Sequence, residues 1–486
     1  MTLVHRVLFP EPLTSLDEYL ARGGGVGLEA ARGMEPDAII EIVRDSGLRG
    51  RGGAGFPTGV KWRTIVDFRS ADAPASMVVN GAEGEPGTFK DRTLLMRDPY
   101  VIIEGALIAA RAVGADEVLI ALKKAFTDAV ARMQGAIDEI VAAGWTKGIR
   151  LAVFEGPNEY LYGEETALLE CVDGRYPFPR IAPPWRRGDR EVVETPADAA
   201  SGSGLAAHVE MEGVPPTLVD NVETIANVPR IVARGAAWFR TEGTDKSPGT
   251  IVCTITGDVR HAGVGEVILG TTLREAIDLI GGGPREGRTI KAVLSGVANA
   301  VITADMLDTP LTYEDMRDAG SGLGSGGYIV FDDHADMAAV VAGVSRFLAV
   351  ESCGQCTPCK RDGVELSTRL TRLSRSAPEP DDLDQIRILA TTVGDRARCT
   401  LATQHQDVVE SVLAAFGPEL EGHTAPGAHG AEPVLIAELL DIVEGQAVWD
   451  ERHREKQPDW TYDATDSGQM PAEKYGEHRR EPEMPE

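Results

Sequence analysis

Cysteine is scarce: six residues in a chain of 486. So few thiols do not suit a disulfide framework, and the 43% hydrophobic content is ordinary for a chain that buries a core. Positive charge is also short. Lys and Arg number 48 against 76 Asp and Glu, for a formal net charge of −28. A field of that sign repels nucleic acid and anionic membranes, so neither is expected as a partner. No run approaches the ~18 consecutive apolar residues of a spanning helix, so no direct membrane insertion is expected. Met1 to Glu11 lacks the charged, apolar and small-residue regions of an export signal. Together these predict a reducing, cytoplasmic setting, at most peripheral to a membrane complex. Neither the P-loop signature nor a dinucleotide fingerprint following a strand is present. Length alone suggests about three domains at ~150 residues each.

What the chain does have is a concentration of its few thiols. Cys353, Cys356 and Cys359 stand at C-x2-C-x2-C spacing, and Cys399 follows after 39 intervening residues. Gly354 and Pro358 let the backbone curl, so the thiolates can face one point. A [4Fe–4S] cube takes four cysteine thiolates, and three close ligands plus a distant one is a usual arrangement. Structural zinc generally pairs two C-x2-C knuckles, and here there is one compact triplet. A disulfide pair suits a small secreted domain instead. The spacing therefore favours a cluster over zinc, and zinc over a disulfide. Cys171 and Cys253 have no partner at ligand spacing and read as packed small residues.

A second concentration is glycine. Leu48 to Trp62 reads LRGRGGAGFPTGVKW, with five glycines between Gly50 and Gly59. Glycine lets backbone N–H groups approach and face a ligand. Arg49, Arg51 and Lys61 bracket the loop, which suits a phosphate. A flexible linker would carry serine and would not explain the embedded Arg, Phe and Lys. With one such loop and no dinucleotide fingerprint following a strand, the expected flavin is FMN and not FAD.

Between these two stretches, strands expected at Met77–Asn80, Glu117–Leu122 and Ile149–Phe154 alternate with helices at Tyr100–Val113 and Phe126–Ala143. That alternation predicts an α/β unit on a parallel sheet. Ligands bind beyond the carboxyl ends of such strands, where Asn80 to Glu85 falls. Two acids in a turn, Glu83 and Glu85, are by themselves more often only solvated. Glu164 and Glu165 open a helix, where acids also complement the helix dipole. Residues 175 to 214 read as a long polar excursion, and a composition shift near Gly243 marks a boundary. Strands at Thr250–Gly257, Gly263–Leu269, Ala292–Ser295 and Tyr328–Phe331, with a helix at Leu273–Ile280, predict a small α+β unit. Helices are then expected at Ala335–Val350, Gly363–Ser374, Asp381–Val393, Gln406–Ala415 and Pro433–Val443. Residues 1–36 read as an arm with one short helix, and residues after Asp450 as a tail, disordered or partner-bound.

Four motifs together resemble the NADH-oxidising flavoprotein subunit of respiratory complex I, a family that includes the diaphorase subunits of NAD-linked hydrogenases and formate dehydrogenases. They are Gly50 to Trp62, Asn80 to Arg92 (NGAEGEPGTFKDR), Gly163 to Leu169 (GEETALL) with Asn221 to Thr224, and Glu351 to Cys359 (ESCGQCTPC) with Cys399. The resemblance spans about residues 15 to 445. It implies a Rossmann-like FMN and NADH domain at 37–241, a ubiquitin-like β-grasp domain at 242–334, and an all-α iron–sulfur bundle at 335–449, with a tail at 450–486. FMN contacts would fall to Gly50, Arg51, Gly52, Gly53, Lys61, Asn80, Glu83, Gly163, Glu164 and Asn221. Phe56 and Trp185 would stack on the nucleotide, and Glu85 and Glu165 would line its pocket. The cluster ligands would be Cys353, Cys356, Cys359 and Cys399.

Hydride would pass between NADH and FMN, and single electrons to a [4Fe–4S] cluster, with no side chain acting as strong acid or base. No cysteines remain for a second cluster, so the next acceptor would sit on a [2Fe–2S] or ferredoxin-like partner subunit. The family carries Asp where Ala82 stands and Lys-Pro-Pro-Phe where Ala182 to Trp185 stands, which predicts weaker NADH binding than in a typical relative. Segment 186–214 is longer than its counterpart. Two other readings keep part of this: the same relay with NADPH or a ferredoxin-linked protein as donor or acceptor, and a non-enzymatic scaffold that only tethers a cluster or zinc.

Overall fold

The computed structural model describes residues 2–69, 74–180 and 216–475. Ala182, Trp185 and segment 186–214 lie outside the described residues.

Four strands form a parallel sheet: β1 (Ala75–Gly81), β2 (Ala115–Lys123), β3 (Arg150–Gly156) and β4 (Thr217–Asn221), in spatial order β3-β2-β1-β4. β1 is buried along almost its full length, as the two-sided covering of a parallel sheet requires. Helix Pro99–Val113 connects β1 to β2 and is almost wholly buried. It begins under an Asp98 N-cap and stops at Gly114, whose φ of +72° suits glycine. Midway along it, the buried Glu104 carboxylate accepts from the Tyr19 hydroxyl and the N–H groups of Gly25 and Leu28. These bonds tie the N-terminal segment to the core. That segment carries a second helix, Val26–Arg32, beside the expected one at Leu16–Ala21, so it is packed structure and not a loose arm.

A second, mixed sheet contains β5 (Thr250–Gly257), β6 (Gly263–Ile268), β7 (Ile290–Ser295), β8 (Ile302–Thr303) and β9 (Gly327–Asp332), in order β6-β5-β9-β7-β8. Side chains alternate across it. Val293, Tyr328 and Val330 pack with helix Leu273–Gly281, while Ala292, Leu294, Ile329 and Phe331 share a core with helix Met337–Glu351. Leu161 and Phe178, from the segment after β3, join that same core.

Helices Met337–Glu351, Gly363–Ser374, Asp382–Thr392 and Thr400–Gly422 form the helical part. The helix expected at Pro433–Val443 is absent. β10 (Leu439–Val443) and β11 (Gln446–Trp449) pair there as an antiparallel hairpin. Glu444 and Gly445 turn it with φ of +49° and +75°, the two consecutive positive values of a tight hairpin. Nor is the tail featureless: Trp460, His453, Lys456 and Asp459 are buried, so residues 451–475 fold back onto the molecule. Among the described residues, no helix is long and apolar enough to cross a membrane.

Candidate functional site

β1 and β4 lie side by side with Asn80 paired to Asn221 at their carboxyl ends. The chain runs outward from β1 in one direction to β2 and β3, then returns to its other side for β4, so this edge is a topological switch point. The expected residues converge here. Asn80 donates through Nδ2 to Gly163 O at 2.9 Å, and its Oδ1 accepts from the Ala82 N–H at 3.1 Å. Asn221 caps helix Val222–Arg234 and donates to Asp91 Oδ2 at 2.7 Å. Lys90 closes the floor, with Nζ 2.8 Å from Asp91 and 2.9 Å from Glu223, both buried.

The Gly-rich loop hangs over this edge. It is closed by Gly50 N–H donating to Phe56 O at 2.9 Å, which leaves the Phe56 ring exposed. A Cβ at Gly52 would lie 3.3 Å from Asn221 Cβ, whereas one at Gly53, with φ of +123°, would meet nothing within 4 Å. The backbone here is bare on one side and free of side chains, as a cradle for a phosphate-bearing ligand needs.

The cations bracketing the loop behave differently from expectation. Arg51 is 1% exposed, and its guanidinium donates to Thr250 O, Arg49 O and the Tyr313 hydroxyl. Its backbone N–H donates to Thr224 Oγ1. Arg51 therefore anchors the loop from beneath and presents no charge to a ligand. Arg49 pairs with Glu314 and lies over the Tyr313 ring. Lys61 is the cation facing the site: Nζ sits 2.7 Å from Glu165 and donates to Val219 O at 2.5 Å. Asp220 beside it accepts from Trp62 Nε1, and burial pushes its carboxyl up to about 6.

The four acids divide in role. Glu83 caps helix Lys90–Arg97, accepting from the N–H groups of Asp91 and Arg92 and from Arg92 Nε. Glu164 caps helix Glu165–Val172 through the Ala167 N–H at 2.8 Å, and burial raises its pKa. Glu165 pairs with Lys61. Glu85 is partly buried, raised by burial, and accepts from the Tyr160 hydroxyl and the Val297 N–H. A Cβ at Gly296 would lie 2.2 Å from the Glu85 carboxylate, so that glycine makes room for the acid.

The thiols also converge. Cys353, Cys356, Cys359 and Cys399 line one cavity with Leu161, Pro179, Ser352 and Ala402. Helix Met337–Glu351 delivers the triplet, and Cys399 sits immediately before helix Thr400–Gly422. Buried Lys360 closes the first helix's end by donating to Ala349, Val350 and Ser352 carbonyls. Burial pushes the Cys359 thiol up to about 12, so a metal must displace a tightly held proton. Ser352 Oγ lies 3.2 Å from Cys359 Sγ, a polar contact able to stabilise the thiolate. Four thiols around one cavity are the donor set of a cubane cluster.

Residues 43–230 match the Nuo51 FMN-binding domain, and residues 339–423 match the NADH-ubiquinone oxidoreductase-F iron-sulfur binding region. An NADH-quinone oxidoreductase F subunit of Rhizobium meliloti (strain 1021) is 38% identical over 420 residues, covering 84% of this chain and 94% of that protein. The chain belongs to the family of NADH-quinone oxidoreductase F subunits. The Escherichia coli (strain K12) member is 35% identical over 418 residues, covering 84% of this chain and 89% of its own. In structure, this member of the family resembles an NAD+-reducing [NiFe]-hydrogenase in the H2-reduced state, with a TM-score of 0.72 and 31% identity. That likeness covers 86% of this chain and 68% of the hydrogenase chain. The fold is therefore a mixed α/β arrangement with a parallel sheet and helices, as in that hydrogenase chain.

Three residues have roles that sequence reasoning does not assign. In sequence, Tyr160 only opens a helical segment. Thr224, which receives the Arg51 N–H, and Lys90, which closes the floor, stand inside the motifs without a role of their own. Their importance is one of contact, and only Lys90 carries a visible signal, as a basic residue beside Asp91.

Proposed function

We propose that this chain is the NADH-oxidising flavoprotein subunit of a multi-subunit oxidoreductase, passing electrons from NADH through FMN and a [4Fe–4S] cluster to a partner iron–sulfur subunit. FMN, when bound, accepts a hydride and returns its electrons singly, and a cubane accepts them one at a time. The chain's own residues position and insulate. The backbone of Gly52 and Gly53 faces the phosphate, with Gly50 closing the loop beside them and Lys61 as the counter-charge. Asn80, Glu83, Gly163, Glu164 and Asn221 form the wall behind the ring. Phe56 stacks on the nucleotide. Glu85 and Glu165 hold hydroxyls and exclude water. Cys353, Cys356, Cys359 and Cys399 hold the cluster. In the finer fold reading, residues 37–241 are a Rossmann-like FMN domain, 242–334 a β-grasp domain and 335–449 an iron–sulfur domain, and the partner carries a [2Fe–2S] or ferredoxin-like centre.

One observation carries this reading. Tyr160 stands between the two centres, its hydroxyl on Glu85 and its backbone N–H 3.3 Å from Glu351 Oε2, two residues before Cys353. The nucleotide edge and the thiol cavity are thus neighbours in one frame, as a relay requires. Anaerobic stopped-flow mixing with NADH and with NADPH tests it. Flavin bleaching with NADH faster than with NADPH is expected. Acid-released FAD in place of FMN, or bleaching by neither nucleotide, would overturn the reading, and a faster rate with NADPH would favour a different donor.

A further inference from the structure

Residues 453–475 have a polar composition that reads as a free tail, yet they bind to the cysteine loop at every turn. His453 Nε2 and Lys456 Nζ lie 3.1 and 2.7 Å from Glu351 Oε1, all three buried. Trp460, 6% exposed, donates through Nε1 to Val350 O at 3.0 Å. Ala472 N–H donates to the carbonyl of Cys353 itself at 2.9 Å. Met470 lies directly on Gly354, where a Cβ would come within 2.6 Å of Met470 Cβ.

The segment is held in that shape from within. Buried Asp459 accepts from the hydroxyls of Thr461 and Ser467 and pairs with Lys474 at 3.3 Å. Tyr475 packs on Tyr176 with ring centroids 4.4 Å apart, and Trp460 packs on Phe178 at 5.6 Å. Pro179, next in the chain, lines the thiol cavity and accepts from Gln355 Nε2 at 3.1 Å. Two segments far apart in sequence, 176–180 and 456–475, thus pack on each other and together close on Cys353, Gly354 and Gln355.

We propose that residues 453–475 form a strap that closes the cysteine loop and shields the bound cluster from solvent. This rests on reading the thiols as a [4Fe–4S] site. The physical reason is local opening. A cluster leaves or is chelated only when its loop detaches, and each contact of the strap raises the free energy of that open state. Contacts around the ligands of a metal site alter its retention by roughly ten- to a hundredfold.

Iron release to bathophenanthroline disulfonate under dithionite, from anaerobically prepared full-length protein, tests the strap. It should be compared with a chain ending at Gln457, which keeps His453 and Lys456, and with Met470→Ala and Trp460→Phe. The shortened chain should lose iron roughly tenfold faster or more, with starting iron and flavin content unchanged. Each point variant should be about threefold faster, the scale of one lost hydrogen bond or contact. Release at the wild-type rate from an iron-loaded shortened chain would overturn the strap. If that chain does not load iron, the point variants decide, and wild-type rates in both overturn it. A wild-type chain that binds no iron would refute the thiol assignment itself, and the strap with it.

Discussion

The Tyr160 hydroxyl donates to Glu85 Oε2 at 2.5 Å. Both groups are partly buried, and burial together with the Glu85 charge raises the phenol well above its ordinary pKa, so it stays a donor. The bond aims the carboxylate, and Val297 N–H fixes its other oxygen at 2.6 Å. Glu85 is thereby a fixed acceptor held between Tyr160 and Val297.

Nucleotide choice follows from that carboxylate. A partly buried carboxylate accepts a ribose hydroxyl and repels a 2′-phosphate. The ratio of flavin reduction rates with NADH and NADPH should fall about tenfold in Glu85→Gln, the effect of removing one close charge repulsion. Tyr160→Phe should fall between wild type and Glu85→Gln. An unchanged ratio in Glu85→Gln would place discrimination elsewhere.

The two cations of the Gly-rich loop should separate by assay. Arg51→Ala leaves buried Glu223 with one cation fewer and opens the loop's anchor, so unfolding in urea should show a loss of about 3–5 kcal/mol. Lys61→Ala should cost less stability but weaken FMN retention by about 1–3 kcal/mol, read by equilibrium dialysis. The reverse pattern would contradict the assignment of Lys61 as the phosphate counter-charge.

Iron and acid-labile sulfide should each approach about four per chain after anaerobic preparation. Cys399→Ser should abolish the cube. Cys171→Ser and Cys253→Ser should not, since both thiols are buried away from the cavity that the other four line. Stoichiometric zinc without iron would exclude the cluster.

Stability should fall with rising pH through the buried Asp98. Burial pushes its carboxyl up to about 7, while Oδ1 still caps helix Pro99–Val113 and Oδ2 has no hydrogen-bond partner. The unfolded value is about 3.9, so between the two the folded chain holds a proton that the unfolded chain lacks. The contribution is full below about pH 4 and is lost as pH rises through about 7. Asp98→Asn keeps the cap, since Asn serves as well there. It should remove roughly 1–3 kcal/mol of the decline between pH 5 and pH 8, measured by urea unfolding at each pH.

The sequence by itself determined the ligand types and the elements that carry them. Apolar runs marked β1, β2 and β3, because such runs satisfy burial on two faces, but not β4 at Thr217–Asn221. Thiol spacing marked the metal centre, because four thiolates must reach one point. Periodicity failed at Pro433–Val443, where residues 433–438 form neither helix nor strand and Leu439–Val443 enter a hairpin. Positive φ at Glu444 and Gly445 decided the matter, and only glycine adopts it readily. Tertiary structure alone decided which charges are buried and which face the carboxyl end of the sheet. Arg51 and Lys61 look alike in sequence, ten residues apart, yet one is buried under the loop and the other faces Glu165 across the site. It also decided that a polar tail is structure. Its polar groups are satisfied because the Glu351 carboxylate and the Val350 and Cys353 carbonyls offer them partners, and no local pattern encodes partners a hundred residues away.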